Sequence, residues 1–102
     1  MKIVPEPIAF EWDKGNIEKN LLKHNVTPQE AEEMFSAEPF VARDDQRHST
    51  VIQKRFQALG KTKKNRKLFV AFTVVDHKIR VISIRDMTIK EEVVYEKLEN
   101  NS

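Results

Sequence analysis

From Phe40 to Ile84 the apolar residues recur largely at every second position, whereas before and after that stretch they recur at helical spacing. A period of two marks strands that bury one face, and a period near 3.6 marks amphipathic helices. Phe40 and Ala42 open a short strand, and Val51 to Leu59 alternates Ile52, Phe56 and Ala58 against Gln53, Arg55 and Gln57. Leu68 to Val75 is apolar at almost every position, as a central strand is, and Ile79 to Ile84 is nearly so. Asp76-His77-Lys78 makes the short turn between those two strands. Adding an extended piece at Ile8 to Glu11, the expected fold is α+β, in the order β-α-α-β-β-β-β-α, an antiparallel sheet with helices packed on one face.

The helices are marked by their starts. Asp13 is an N-cap, with Trp12 before it and Ile17 four positions after it in the arrangement of a hydrophobic staple. Ile17, Leu21 and Leu22 form an apolar stripe that ends at Lys23-His24-Asn25, where Asn suits a left-handed cap. Thr27-Pro28-Gln29-Glu30 is a capping box with proline at the first helical position, and Ala31, Met34 and Phe35 are its expected core residues. Thr88-Ile89-Lys90-Glu91 repeats the capping box, and Ile89, Val93, Val94 and Leu98 are expected to form the buried face of the last helix.

At 102 residues the chain has room for one domain, with a core from about residue 8 to 98 and a short tail after it. It contains no cysteine, which excludes disulfides, thiolate metal ligands and cysteine nucleophiles. With only two glycines, Gly15 and Gly60, a phosphate loop of the dinucleotide or Walker kind is absent. No apolar run approaches the length of a membrane span, and a cytoplasmic protein with no membrane partner is expected.

The formal net charge of +2 conceals a local excess: Lys61 to Lys67 holds five of the eighteen basic residues, and the remainder carries thirteen basic against sixteen acidic groups. A localised basic patch suits a polyanion such as RNA, with Lys61, Lys63, Lys64, Arg66 and Lys67 as the binding candidates. The same lysines also suit a solvated hairpin tip that blocks edge pairing.

RNA is cleaved when its 2′-hydroxyl attacks the neighbouring phosphorus, which requires a proton acceptor, a proton donor and cations around the phosphate, with no obligatory cofactor or metal. The candidate residues are Lys23, His24, Arg55, Arg80, Arg85, Glu91 and Tyr95. Lys23 and His24 stand in the last turn of a helix, where the dipole favours cations. Arg55 points away from Phe56 and Ala58, onto the other side of the sheet. Arg80 and Arg85 fall on opposite faces of a regular strand and meet one ligand only if the strand bulges or ends between them. Glu91 and Tyr95 each have a structural explanation as well, in the capping box and as a half-buried aromatic. Asp44, Asp45 and His48 read as an acidic turn far better than as a magnesium or manganese site.

The ordered set Phe10-Glu11-Trp12-Asp13, Asn20, Lys23-His24-Asn25-Val26, Glu30-Ala31, Phe35, Asp44 to His48-Ser49, Arg55-Phe56, Gly60, Ile79-Arg80-Val81-Ile82-Ser83, Arg85, Glu91 and Tyr95 resembles the BrnT family. That resemblance implies a RelE-like fold and a metal-independent ribonuclease toxin of a type II toxin-antitoxin module. It also implies neutralisation by a BrnA-like antitoxin, a ribbon-helix-helix protein through which alone the assembly contacts DNA. RNA, free or held on the ribosome, is the implied substrate. The seven catalytic candidates match the family positions, Glu91 and Tyr95 less closely than the rest.

The departures bear on activity. Gln53 and Lys54 stand where acidic residues usually precede the matching arginine, so a carboxylate base from that strand is lacking. Asp86 and Glu92 replace basic residues and place negative charge where a phosphate would approach. An attenuated or non-catalytic member, serving as an antitoxin-binding or nucleic-acid-binding component of a repressor complex, is the alternative reading.

Overall fold

In a computed structural model of the protein, residues 4–50 and 53–101 are described, so that Val51 and Ile52, expected to begin a strand, lie outside the described residues. The elements are α1 (Lys14–His24), α2 (Pro28–Ser36), β1 (Val41–Asp44), β2 (Arg55–Lys61), β3 (Lys67–Val75), β4 (Lys78–Asp86) and α3 (Ile89–Asn100). The strands form one antiparallel sheet in the order β1-β2-β3-β4. The α+β class and the antiparallel sheet are as expected from the sequence.

The expected first strand shrinks to a single parallel bridge between Phe10 and Ile79. The Glu11 N–H donates to the Ile79 carbonyl and the Ile79 N–H to the Ala9 carbonyl, each at 2.8 Å. Pro5 and Pro7 lie just upstream and lack the N–H that a longer ladder needs, while Asp13 already caps α1 through the Asn16 N–H.

Local chemistry accounts for the helix and turn positions. Asn25 closes α1 with φ 54°, and the Thr27–Glu30 and Thr88–Glu91 capping boxes are both reciprocal. Asp76 and His77 have φ of 52° and 63°, the backbone of a two-residue hairpin whose twist matches its strands.

One face of the sheet carries Phe56, Ala58, Leu68, Val70, Phe72, Ile79, Val81 and Ile84, packed against Val26, Ala31, Met34 and Phe35. Phe35 is the hub, with its ring 5.2 Å from Phe10, 4.9 Å from Phe40 and 5.2 Å from Phe72. Gly60 is required by close approach, because a Cβ there would stand 2.9 Å from the Met34 carbonyl oxygen.

α1 covers the free edge of β4. The Asn16 amide donates to the Val81 carbonyl, and the Asn20 side-chain oxygen accepts from the Ile84 N–H at 3.3 Å. These bonds bracket a bulge, since the pairing passes from Ala71↔Ser83 to Phe72↔Val81 and leaves Ile82 without a partner. The extra residue reverses the alternation, so Arg80 and Arg85 lie on the same face of the sheet.

α3 departs from its expected orientation. Ile89, Val93 and Val94 are 80%, 48% and 54% exposed, and the sheet-facing stripe is instead Glu91, Tyr95, Leu98 and Glu99. Polar anchors set the rotation of the helix: Glu91 binds Arg85, while Glu99 binds Lys61 and Lys67. Lys61, Lys67 and Arg85 belong to the outer face, opposite to the core, and α3 is therefore fastened at that side.

Candidate active site

The outer face of the sheet is organised in cross-strand rows. Arg55, Thr73 and Arg80 are in register across β2, β3 and β4. The next row is Arg43, Gln57, Ala71 and Ser83, and the one after it Val41, Leu59, Phe69 and Arg85. Arg55 and Arg80 are two strand spacings apart, about 10 Å between backbones, within reach of one phosphate for two long side chains.

These arginines carry little internal compensation. The Arg55 side chain makes no ion pair among the described residues, and Arg80 makes a loose one to Asp13 at 3.7 Å. Among the described residues the Arg43 side chain donates to the Gln57 amide oxygen, at 3.1 Å, and makes no ion pair. Uncompensated guanidinium groups on an open sheet face form an anion-binding surface.

Arg85 lies about 14 Å further along the strands, and its surroundings are different. It forms a two-pronged pair with Glu91 at 2.8 and 3.1 Å and stacks on Phe69 with its guanidinium carbon 4.1 Å from the ring centroid. Burial would raise the Glu91 carboxyl, but the Arg85 and Thr88 hydrogen bonds outweigh it and hold the group below the usual carboxylate range. Its charge is already matched.

Tyr95 is fully buried, and its hydroxyl donates to the Pro39 carbonyl. Burial, with Glu99 nearby, pushes the phenol up to about 12. A folded-state value above the unfolded one of roughly 10 means stability that is complete below pH 10 and lost as pH rises toward 12. The expected alkaline loss is about 2–3 kcal/mol, absent in Tyr95→Phe. Tyr95 is the only tyrosine, so absorbance of the phenolate near the melting transition reports it alone.

Lys23 and His24 sit at the end of α1 that faces Asp86, not at the Arg55–Arg80 row. The carbonyls of His24 and Asn25 accept from Arg66 at 3.0 and 2.8 Å. His24 adds to the field on Asp86, whose carboxyl the Arg66 hydrogen bonds hold low. The Lys23 side chain is exposed. The seven catalytic candidates thus fall into two groups: Arg55 and Arg80 at one end of the outer face, and Arg85, Glu91, Tyr95, Lys23 and His24 toward the other.

The basic stretch is largely consumed within the fold. Lys61 pairs with Glu99 at 2.9 Å and Lys67 with Glu96 and Glu99 at 3.4 and 3.6 Å. Arg66 binds both oxygens of Asp86 at 2.7 and 3.0 Å and Glu30 at 3.1 Å. Only Lys63 and Lys64 point outward with no ion pair to another described residue, at the exposed tip of the β2–β3 hairpin.

Residues 12–91 match the family described as "Ribonuclease toxin, BrnT, of type II toxin-antitoxin system". The chain belongs to the BrnT family. No curated protein matches it. Membership makes it one half of a toxin-antitoxin pair, with an antitoxin as its partner. Among the described residues no helix is long and apolar enough to cross a membrane, and no group of three or more His, Asp or Glu side chains could hold a metal ion.

Two further features bear on the BrnT reading. Asp86, expected to place negative charge where a phosphate would approach, is matched by Arg66, so its charge is compensated within the fold. Arg43 adds a cation to the open face. Its signal was available in the alternation of β1, where Phe40 and Ala42 point inward and Arg43 therefore outward.

Proposed function

We infer that this chain is an endoribonuclease toxin that cleaves RNA by attack of the 2′-hydroxyl on the adjacent phosphorus, with no metal required. One observation carries the reading: on an open sheet face Arg43 and Arg55 have no ion pair among the described residues and Arg80 has a single loose one, to Asp13 at 3.7 Å, in a member of a ribonuclease-toxin family. Negative charge builds on the phosphate oxygens as the 2′-oxygen attacks, and fixed guanidinium groups stabilise that charge. Arg55 and Arg80 are assigned to the scissile phosphate. Arg85, Lys23 and His24, at the far end, are assigned to flanking nucleotides, and Glu91 and Tyr95 hold that end together.

Lys63 and Lys64 guide the strand by long-range attraction. Neutralising both should reduce the salt slope of log affinity for single-stranded RNA by about 1.4, the contribution of two phosphate contacts. Three to five contacts from the whole basic stretch would give about 2 to 3.5. Filter binding across a range of salt concentrations measures the difference.

The partner is assigned as a BrnA-like ribbon-helix-helix antitoxin, with DNA contacted only through that complex and the pair residing in the cytoplasm. Expression of the chain alone tests the enzyme reading. Growth arrest and fragmented RNA are expected, and both should disappear in Arg80→Ala. Intact RNA at verified soluble expression would overturn it.

A second reading, a non-catalytic antitoxin-binding member, is favoured by the exposed apolar stripe Ile89, Val93 and Val94, which suits a protein partner. It predicts antitoxin binding and operon repression that survive Arg80→Ala, together with no toxicity of the wild type.

A further inference from the structure

We propose that His48 is the proton acceptor for the attacking 2′-hydroxyl, with Asp45 as its positioning residue; this rests on the ribonuclease reading above. Asp45 is 7% exposed, whereas the His48 side chain is 58% exposed. The His48 Nδ1 lies 3.1 and 3.0 Å from the two Asp45 carboxylate oxygens. A ring nitrogen facing a carboxylate carries the proton, which leaves Nε2 as the free acceptor, directed away from Asp45.

The pair is built into the sheet beside the open arginines. The Asp45 N–H donates to the Arg55 carbonyl at 2.8 Å, and the Arg55 N–H donates to the Ser49 hydroxyl at 2.9 Å. The Gln57 amide donates to Asp45 at 3.1 Å and accepts from Arg43 at 3.1 Å. Gln57 is an outer-face residue, so the carboxylate it binds lies at the border of that face. This gives a continuous polar chain, Arg43–Gln57–Asp45–His48, on the β1–β2 side of the sheet, with β3 between it and Arg80 on β4. Lys23 and His24, by contrast, stand at the opposite end of β4. Gln53 and Lys54 precede Arg55, so that segment offers no carboxylate base, and the imidazole supplies a base without one.

In the step itself, the 2′-oxygen forms a bond to phosphorus as its proton passes to His48 Nε2. The phosphorus–O5′ bond breaks, leaving a 2′,3′-cyclic phosphate, and the departing 5′-oxygen takes a proton from water. The hydroxide so formed removes the proton from the imidazolium, which Asp45 stabilises in the meantime. Atoms and charge balance without a further reactant.

The test uses the purified chain and an RNA oligonucleotide that the wild type cleaves. His48→Gln should lower kcat by about 100-fold or more with KM within about twofold, at an unchanged melting temperature. The defect should persist on a substrate whose 5′-bridging oxygen is sulfur, a leaving group that needs no proton. Asp45→Asn, which keeps an acceptor for the turn N–H, should also lower kcat and spare KM. Full activity of His48→Gln would overturn the assignment, as would rescue of that variant by the sulfur substrate, which would make His48 the proton donor. If His48→Gln is misfolded, a fully active Asp45→Asn would overturn the role of the pair. Wild-type protein that leaves RNA intact would instead overturn the ribonuclease reading, and this proposal with it.

Discussion

Replacing either Arg55 or Arg80 with alanine should lower the rate of RNA cleavage about 100- to 1,000-fold while leaving the melting temperature within about 3 °C of wild type. Removing one preorganised donor from a charge that develops in the transition state costs about 3–4 kcal/mol in comparable sites. The stability side follows from the structure, because neither guanidinium is tied into the fold. Arg55 has no ion pair among the described residues, and Arg80 has one at 3.7 Å between groups that are 46% and 56% exposed. An exposed pair of that kind contributes about 0–1 kcal/mol. Arg55→Lys and Arg80→Lys should recover only part of the rate, since a lysine keeps the charge but not the planar fork. Single-turnover cleavage beside thermal melts separates the two effects; a variant that melts early as well as cutting slowly would count against a purely catalytic role.

The opposite pattern is expected at Arg66. Arg66→Ala should destabilise the protein by about 2–3 kcal/mol, the value of a charged hydrogen-bonding group lost from partly buried partners, and lower the melting temperature by about 10–20 °C. One side chain joins four places: the His24 and Asn25 carbonyls at the end of α1, Glu30 in the α2 capping box, and Asp86 at the end of β4. Its removal strands two carboxylates and leaves the last carbonyls of α1 to water. Replacing Lys63 and Lys64, its neighbours in sequence, should change the melting temperature by no more than about 3 °C.

Acid acts through the same junction. The Arg66 hydrogen bonds hold Asp86 below its ordinary value. Burial would raise Glu30, but the Thr27 N–H and Arg66 outweigh it and the carboxyl is also held low. A carboxyl depressed on folding stabilises above its unfolded value, near pH 4, and that stability is lost as pH falls through the folded value. The wild type should therefore lose stability below about pH 4, and Arg66→Ala should lose less in that range because it has less to lose. Chemical denaturation at pH 7, 4 and 3 gives the comparison.

Capping and turn chemistry made the secondary structure legible. Asp13, Thr27-Pro28-Gln29-Glu30, Asn25 and Thr88-Ile89-Lys90-Glu91 act through hydrogen bonds spanning three or four residues, so their geometry is local and readable in one dimension. The apolar alternation of β2 likewise separates the core face from the open face. Arg55 could be placed on the outer side from that alternation alone.

The orientation of α3 was not readable in this way. Its apolar residues and its acidic residues both recur at helical spacing, and which stripe faces the sheet depends on the partners waiting there. Lys61, Lys67 and Arg85 come from three different strands and meet the helix only after the sheet has formed.

By itself the sequence determined the α+β class, the helix ends, the core face and the family, because each depends on short-range chemistry or on the order of motifs along the chain. Only the tertiary structure decided how the cations are used. A run of five basic residues looks uniform in sequence, yet folding pairs Lys61, Arg66 and Lys67 with carboxylates from 20 to 38 residues away. The bulge at Ile82 moves Arg85 to the side of Arg80, and the β1–β2 turn sets His48 on Asp45 beside Arg55. A charge is free or consumed according to its neighbours in space, and those neighbours are assigned by strand register and helix packing.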